Sequence, residues 1–157
     1  MKTVQELMRE RFFPLPNQIF SLGLKAEEIA IYGYLMSLED RKTYQCHPSY
    51  KAIGRAVGLT ENTVRKYIRS LEAKGLIYTE PTTIWTKDGR PRNGNLRYTI
   101  RPIQEAIEVY HARQMAALDA ARARQAAEQH FAKYNRTHPD SPVVITANEP
   151  EEAVTAP

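Results

Sequence analysis

Between Pro48 and Ile77, apolar residues recur twice at helical spacing, and a glycine separates the two runs. In the first run, Ala52, Ile53, Ala56 and Val57 share one face of a helix of about two turns that Ser49 is placed to cap. Gly58 closes it. In the second, Val64, Ile68 and Leu71 repeat at i, i+4 and i+7, which predicts a helix from about Thr60 to Lys74 with this stripe buried. Thr60 caps that helix, Glu61 sits where the helix dipole favours a negative charge, and Gly75 stops it. The side opposite the stripe carries Asn62, Thr63, Arg65, Lys66 and Arg69. All five side chains donate hydrogen bonds, and three are positive.

The same periodicities organise the flanks. Met1–Arg11 has the composition to start a helix, which Pro14 and Pro16 stop. Phe12, Phe13, Leu15, Ile19, Phe20 and Leu22 form a dense apolar run, expected to pack across the domain as an arm in preference to making a partner contact. Lys25–Leu38 predicts a helix whose Ile29, Ala30, Tyr32, Gly33, Leu35 and Met36 make a wide apolar surface. Thr43–His47 suits a small strand. Leu76–Trp85 and Asn95–Ile100 read as two further strands, the second alternating Leu96, Tyr98 and Ile100 with Arg97, Thr99 and Arg101. That gives it one apolar and one basic face. Between the strands lies TKDGRPRNG, with a turn signal at Asp88-Gly89 and with Lys87, Arg90, Arg92 and Asn93 on the loop. Trp85, near a strand end, is expected to cover a core edge in preference to stacking on a base or sugar.

Ile103–Tyr134 contains neither glycine nor proline and is rich in alanine, arginine, glutamine and glutamate. It predicts one helix of up to ~48 Å, with Ile103, Ile107 and Tyr110 able to pack back on the domain. Beyond them a seven-residue repeat places Gln114, Ala117, Ala121, Arg124, Glu128 and Phe131 on a seam, a poor coiled coil. A solvated helix and a dimer handle both fit. Asn135–Pro157, with four prolines and three late glutamates, is expected to be disordered. The predicted fold is therefore mainly α with a small β-hairpin wing: an N-terminal arm (1–22), a winged helix-turn-helix (23–101), a long helix (102–134) and a disordered tail (135–157).

Charge sharpens this division. Residues 1–101 carry 17 Lys and Arg against 10 Asp and Glu, whereas residues 102–157 carry 5 against 8. The basic part contains the helix pair, and a basic surface of this kind attracts phosphate backbones. No run approaches the ~18 apolar residues of a membrane span, and MKTVQELMRERFF lacks the core of a signal peptide. A cytoplasmic, nucleoid-associated protein is expected. Cys46 is the single cysteine, so no intrachain disulfide forms. Cys46 and His47 are adjacent, but His111, His130 and His138 lie far along the chain, so packing is expected there and not a metal site.

PSYKAIGRAVGLTENTVRKYIRSLEAKGLI closely resembles the winged helix-turn-helix of GntR-type bacterial regulators, through Thr63, Val64, Arg65, Leu71, Glu72, Gly75, Leu76 and Ile77. A longer stretch, from FFPLPNQIF through GNLRYTIRPI, is similar to replication-initiator-like helix-turn-helix proteins of plasmids, phages and conjugative elements. These resemblances imply a recognition helix in the major groove of double-stranded DNA. There Arg65 or Lys66 would contact guanine edges, Asn62 adenine, and Thr63 a thymine methyl or a phosphate, while Thr60 starts the helix and Arg69 meets backbone. Ser49, Tyr50 and Lys51 would hold phosphate, and the wing residues Lys87, Arg90, Arg92 and Asn93 would touch the phosphates or minor groove flanking the site.

The roles this implies are a transcriptional regulator of a bacterial or mobile-element locus, or a plasmid- or phage-type replication initiator or accessory factor, with a winged helix used for protein contact as a third possibility. No folded effector domain follows the helix pair, so no small-molecule effector or cofactor is expected. Catalysis is not expected either: no His-x-His pair, phosphate-binding glycine loop, Ser-His-Asp set or carboxylate cluster occurs. The long helix, 103–134, is the handle available for a homodimer.

Overall fold

Ile19, Ile31, Leu35, Ile53, Val64, Ile68 and Leu71, scattered over four segments of the chain, meet in one core and are almost fully buried. They do so in a computed structural model that describes residue 3 and residues 12–144. The helix start considered over 1–11 and the tail beyond 144 lie outside the described residues. The chain divides into two units, one ending at Arg113 and the other beginning at Gln114.

In the first unit, a 3-10 turn (Asn17–Ser21) leads into α1 (Ala26–Leu38), a two-residue strand β1 (Gln45–Cys46), and the helices α2 (Tyr50–Val57) and α3 (Glu61–Ala73). The predicted arm packs only in part. Ile19 and Leu22 are buried and Leu15 leans on the core, but Phe12, Phe13 and Phe20 stay exposed. The two prolines and the single 3-10 turn leave no continuous face that can turn all six apolar side chains inward.

Three strands make the main sheet, in the order β1, β5 (Arg97–Ile100), β2 (Ile77–Glu80), all antiparallel. The register sets Cys46 against Tyr98 and Ile77 against Ile100, so all four of these side chains enter the core. Burial and the Glu39 carboxylate push the Cys46 thiol up to about 11, and its Sγ lies 3.7 Å from the Leu35 carbonyl. It is a packed thiol, protonated at neutral pH.

The strand predicted over Leu76–Trp85 is two strands. Pro81 has no N–H to donate, so β2 ends at Glu80 and a separate two-stranded ribbon begins, β3 (Thr83–Trp85) against β4 (Pro91–Asn93). The expected loop is correspondingly shorter. Arg92 and Asn93 lie in a strand, and the turn is closed by the Thr86 N–H donating to the Arg90 carbonyl at 2.9 Å.

The basic face expected on β5 is also corrected. Arg97 pairs with Glu80 at 2.6 Å, across the ladder from it, and Arg101 pairs with Glu105 at 2.8 Å. Both cations have carboxylate partners that no single-strand alternation reveals.

The last helix, α4, runs from Ile103 to Thr137. Its first turns bury Ala106 and pack Ile103, Ile107 and Tyr110 on the core. Arg113 Nη2 donates to the Ala73 carbonyl at the end of α3, 2.8 Å away. In the second unit the helix continues past Tyr134, with Met115 and Leu118 exposed. The Asn135 side chain exchanges two hydrogen bonds with Val143, which folds the chain after the helix back on its last turn.

Candidate nucleic-acid interface

The helix pair is held by caps at the residues their side chains suggest. Ser49 Oγ accepts from the Ala52 N–H at 3.0 Å to start α2, and Thr60 Oγ1 accepts from the Thr63 N–H at 3.4 Å to start α3. Gly58 ends α2 with φ 74°, a left-handed conformation that glycine adopts without a Cβ penalty.

A second glycine sets how closely the helices meet. A Cβ on Gly54 would lie 2.3 Å from the Leu59 carbonyl oxygen and 3.5 Å from Val64 Cγ2. Only a residue without a side chain lets the turn fold back over α2 here. The sequence signal for it is a glycine inside an otherwise continuous helical pattern, four residues before the turn.

Beneath α3, a polar network that periodicity does not disclose ties it to α1. Glu28 is buried, and its carboxylate accepts from the Lys25 N–H at 2.8 Å, from Ser70 Oγ, and from Lys74 Nζ at 2.7 and 2.9 Å. Burial alone would push this carboxyl up. The hydrogen bonds from Lys74, Ser70 and Lys25 outweigh that and hold it below the usual carboxylate range.

With Val64, Ile68 and Leu71 facing inward, Asn62, Arg65, Lys66 and Arg69 are exposed on the opposite side of α3. Thr63 is half-buried, its hydroxyl sharing a 2.9 Å hydrogen bond with Thr60. No ion pair among the described residues involves Arg65, Lys66 or Arg69. Two residues singled out on different helices meet here: the Arg65 guanidinium lies over the Tyr50 ring, 5.4 Å from its centroid. Lys66 Nζ lies over the Tyr67 ring at 5.6 Å, and Lys51, on the first turn of α2, is exposed.

Lys87, Arg90, Arg92 and Asn93 are all exposed on the ribbon and its turn. The base of the ribbon is tied to the segment before α2, since Asn95 Nδ2 donates to the His47 carbonyl at 3.2 Å. Trp85 departs from expectation. It is 72% exposed and covers no core edge, because Pro81 has already separated its strand from the sheet that packs on the core.

Residues 22–77 match a helix-turn-helix domain family. That span begins before α1 and ends at the first residue of β2, so it contains the whole helix pair. The chain matches no curated protein. Among solved structures, it is similar to a possible transcriptional regulator from Methanosarcina mazei, at 14% identity over 70% of this chain and 82% of that one, with a TM-score of 0.42. It is likewise similar to the DNA complex of MepR from S. aureus, at 18% identity over 85% and 92% of the two chains, with a TM-score of 0.38. A MarR family transcription regulator is similar at 17% identity over 85% and 80%, with a TM-score of 0.37. Neither a GntR-type regulator nor a replication initiator is among these relatives.

Proposed function

We propose that the helix-turn-helix and ribbon bind double-stranded DNA, and that the protein regulates transcription. The observation that carries this is the exposed outer side of α3. Arg65, Lys66 and Arg69 stand there without carboxylate partners among the described residues, beside Asn62, on a helix fixed from behind by its buried stripe.

In this reading the N-terminal half of α3 enters the major groove. Arg65, steered by the Tyr50 ring, and Lys66 donate to guanine O6 and N7, while Asn62 pairs with adenine. Thr63 meets a thymine methyl or a phosphate, Thr60 holds the helix start, and Arg69, a turn further on, meets backbone. Ser49, Tyr50 and Lys51 sit at the start of α2, where first-turn N–H groups lack intrahelical acceptors, and hold a phosphate. Lys87, Arg90, Arg92 and Asn93 grip the flanking backbone, contributing affinity and register. The helix over 103–134 is the handle for a homodimer, which a palindromic site would require.

The test is selection from a random duplex library with the wild type, Arg65→Ala and Arg92→Ala. The expected outcome is a defined motif that Arg65→Ala relaxes at one position, at a cost of about 1–3 kcal/mol, and that Arg92→Ala weakens evenly with a smaller salt slope. Motifs clustered at promoters fit a regulator, whereas clustering at an origin moves the assignment to a replication initiator. Absence of binding at low salt overturns the DNA reading in favour of a protein partner.

A further inference from the structure

The ribbon carries an aromatic side chain that folding does not use. Trp85 is the only tryptophan in the chain, and with Ile84 it stands largely exposed on a three-residue strand outside the core sheet. Pairing sets Trp85 opposite Pro91 and Ile84 opposite Arg92. Since side chains alternate along strands, Trp85 shares a face with Thr83, Pro91 and Asn93, and Arg92 stands on the other. The turn beyond adds Lys87 and Arg90 against one acid, Asp88.

A flat apolar ring on a short ribbon that also carries three exposed cations matches a polyanion that also offers flat apolar faces. Nucleic acid has both. Proteins that enter the minor groove pair basic side chains with apolar wedges that partly unstack a base step, and aromatic rings gain affinity by stacking on bases. Protein surfaces complementary to the tip would instead need a carboxylate-rich rim around an apolar pocket.

We infer that Trp85 is a minor-groove wedge: the ribbon enters the groove beside the site read by α3, and the indole stacks at a base step while Lys87, Arg90 and Arg92 hold the adjacent phosphates. This rests on the DNA-binding reading above and adds to it a contact that senses DNA deformability. Flexible pyrimidine–purine steps next to the α3 site are favoured, because they unstack at least cost.

Trp85 as the sole indole allows a direct experiment. Wild type, Trp85→Phe and Trp85→Ala are titrated with a fluorescein-labelled random-sequence duplex at low salt, following anisotropy of the label. In parallel, the tryptophan emission of the wild type and its access to acrylamide are followed with unlabelled duplex. The expected result is quenched, acrylamide-protected emission at saturation. Binding weakens about tenfold in Trp85→Ala and by no more than about threefold in Trp85→Phe, with unchanged melting temperatures because the ring is not in the core. Normal duplex binding with unquenched, accessible emission and no loss in Trp85→Ala overturns the wedge alone, and leaves the tip to a protein partner. Failure of the wild type to shift the anisotropy overturns the DNA reading, and the wedge with it.

Discussion

The outer side of α3 and the β3–β4 ribbon are both basic, yet they are built in opposite ways. Arg65, Lys66 and Arg69 stand on a helix whose reverse side is three fully buried aliphatic residues and a buried carboxylate network. The ribbon has no buried reverse side: all six of its strand residues are exposed. On the proposed reading, a base-reading helix needs its angle fixed, whereas a ribbon that enters the groove by its tip needs mainly reach. Substitutions behind α3 should therefore change folding first and DNA binding second. Those on the ribbon should change DNA binding alone.

The largest effect that sharpens this contrast is Ile68→Ala, expected to destabilise by about 3–4 kcal/mol through lost burial and the cavity left under α3, read by urea unfolding. Loss of less than ~1 kcal/mol would break the claim that this stripe anchors the helix.

Glu28→Gln comes next, at about 2–3 kcal/mol near neutral pH; Lys74 keeps some water contact, so the full cost of a stranded buried charge does not apply. The effect has a defined pH sense. The folded carboxyl is held below its ordinary 4.5, so the stability it supplies is complete above that value and is lost as pH falls through the folded value. Melting curves of wild type and Glu28→Gln should converge as the pH falls below the ordinary carboxylate range and through the folded value. A gap that widens on acidification would contradict the network.

Gly54→Ala follows at about 2 kcal/mol, because its methyl would meet the backbone carbonyl of Leu59 and the turn must shift. An unchanged melting temperature would show that the turn is looser than the 2.3 Å approach implies. Smaller still, Tyr50→Ala should cost about 1 kcal/mol of DNA affinity by freeing Arg65, and Tyr50→Phe should restore most of it, since the ring and not the hydroxyl holds the guanidinium. Equal losses in both would assign the role to the hydroxyl. At the end of the series, Arg90→Ala should leave stability within about 0.5 kcal/mol while reducing the salt slope of DNA binding by about one.

How legible each region was follows the same contrast. In α2 and α3 the apolar period, the caps at Ser49 and Thr60 and the stop at Gly75 sit within a few residues of the structure they direct, so local pattern sufficed. The exposed donors of α3 followed from the stripe opposite them. On the ribbon, Leu76–Trp85 reads as one strand, but Pro81 lacks the N–H that a continuous ladder needs, and the strand divides there. A lone tryptophan near a strand end suggests a core edge, but that break decides the environment of Trp85.

By itself, the sequence determined the helix pair, its capped ends, its buried stripe, the presence of a basic hairpin after it and the long glycine-free helix. Each of these depends on residues within about one or two turns of one another. Only the tertiary structure decided that Glu28 on α1 meets Ser70 and Lys74 on α3, that Tyr50 lies under Arg65, that Glu80 neutralises Arg97, and that Trp85 faces water. Periodicity states which side of an element is apolar. It carries no information about which charge or ring from another element will arrive within hydrogen-bonding distance, because that depends on how the elements pack.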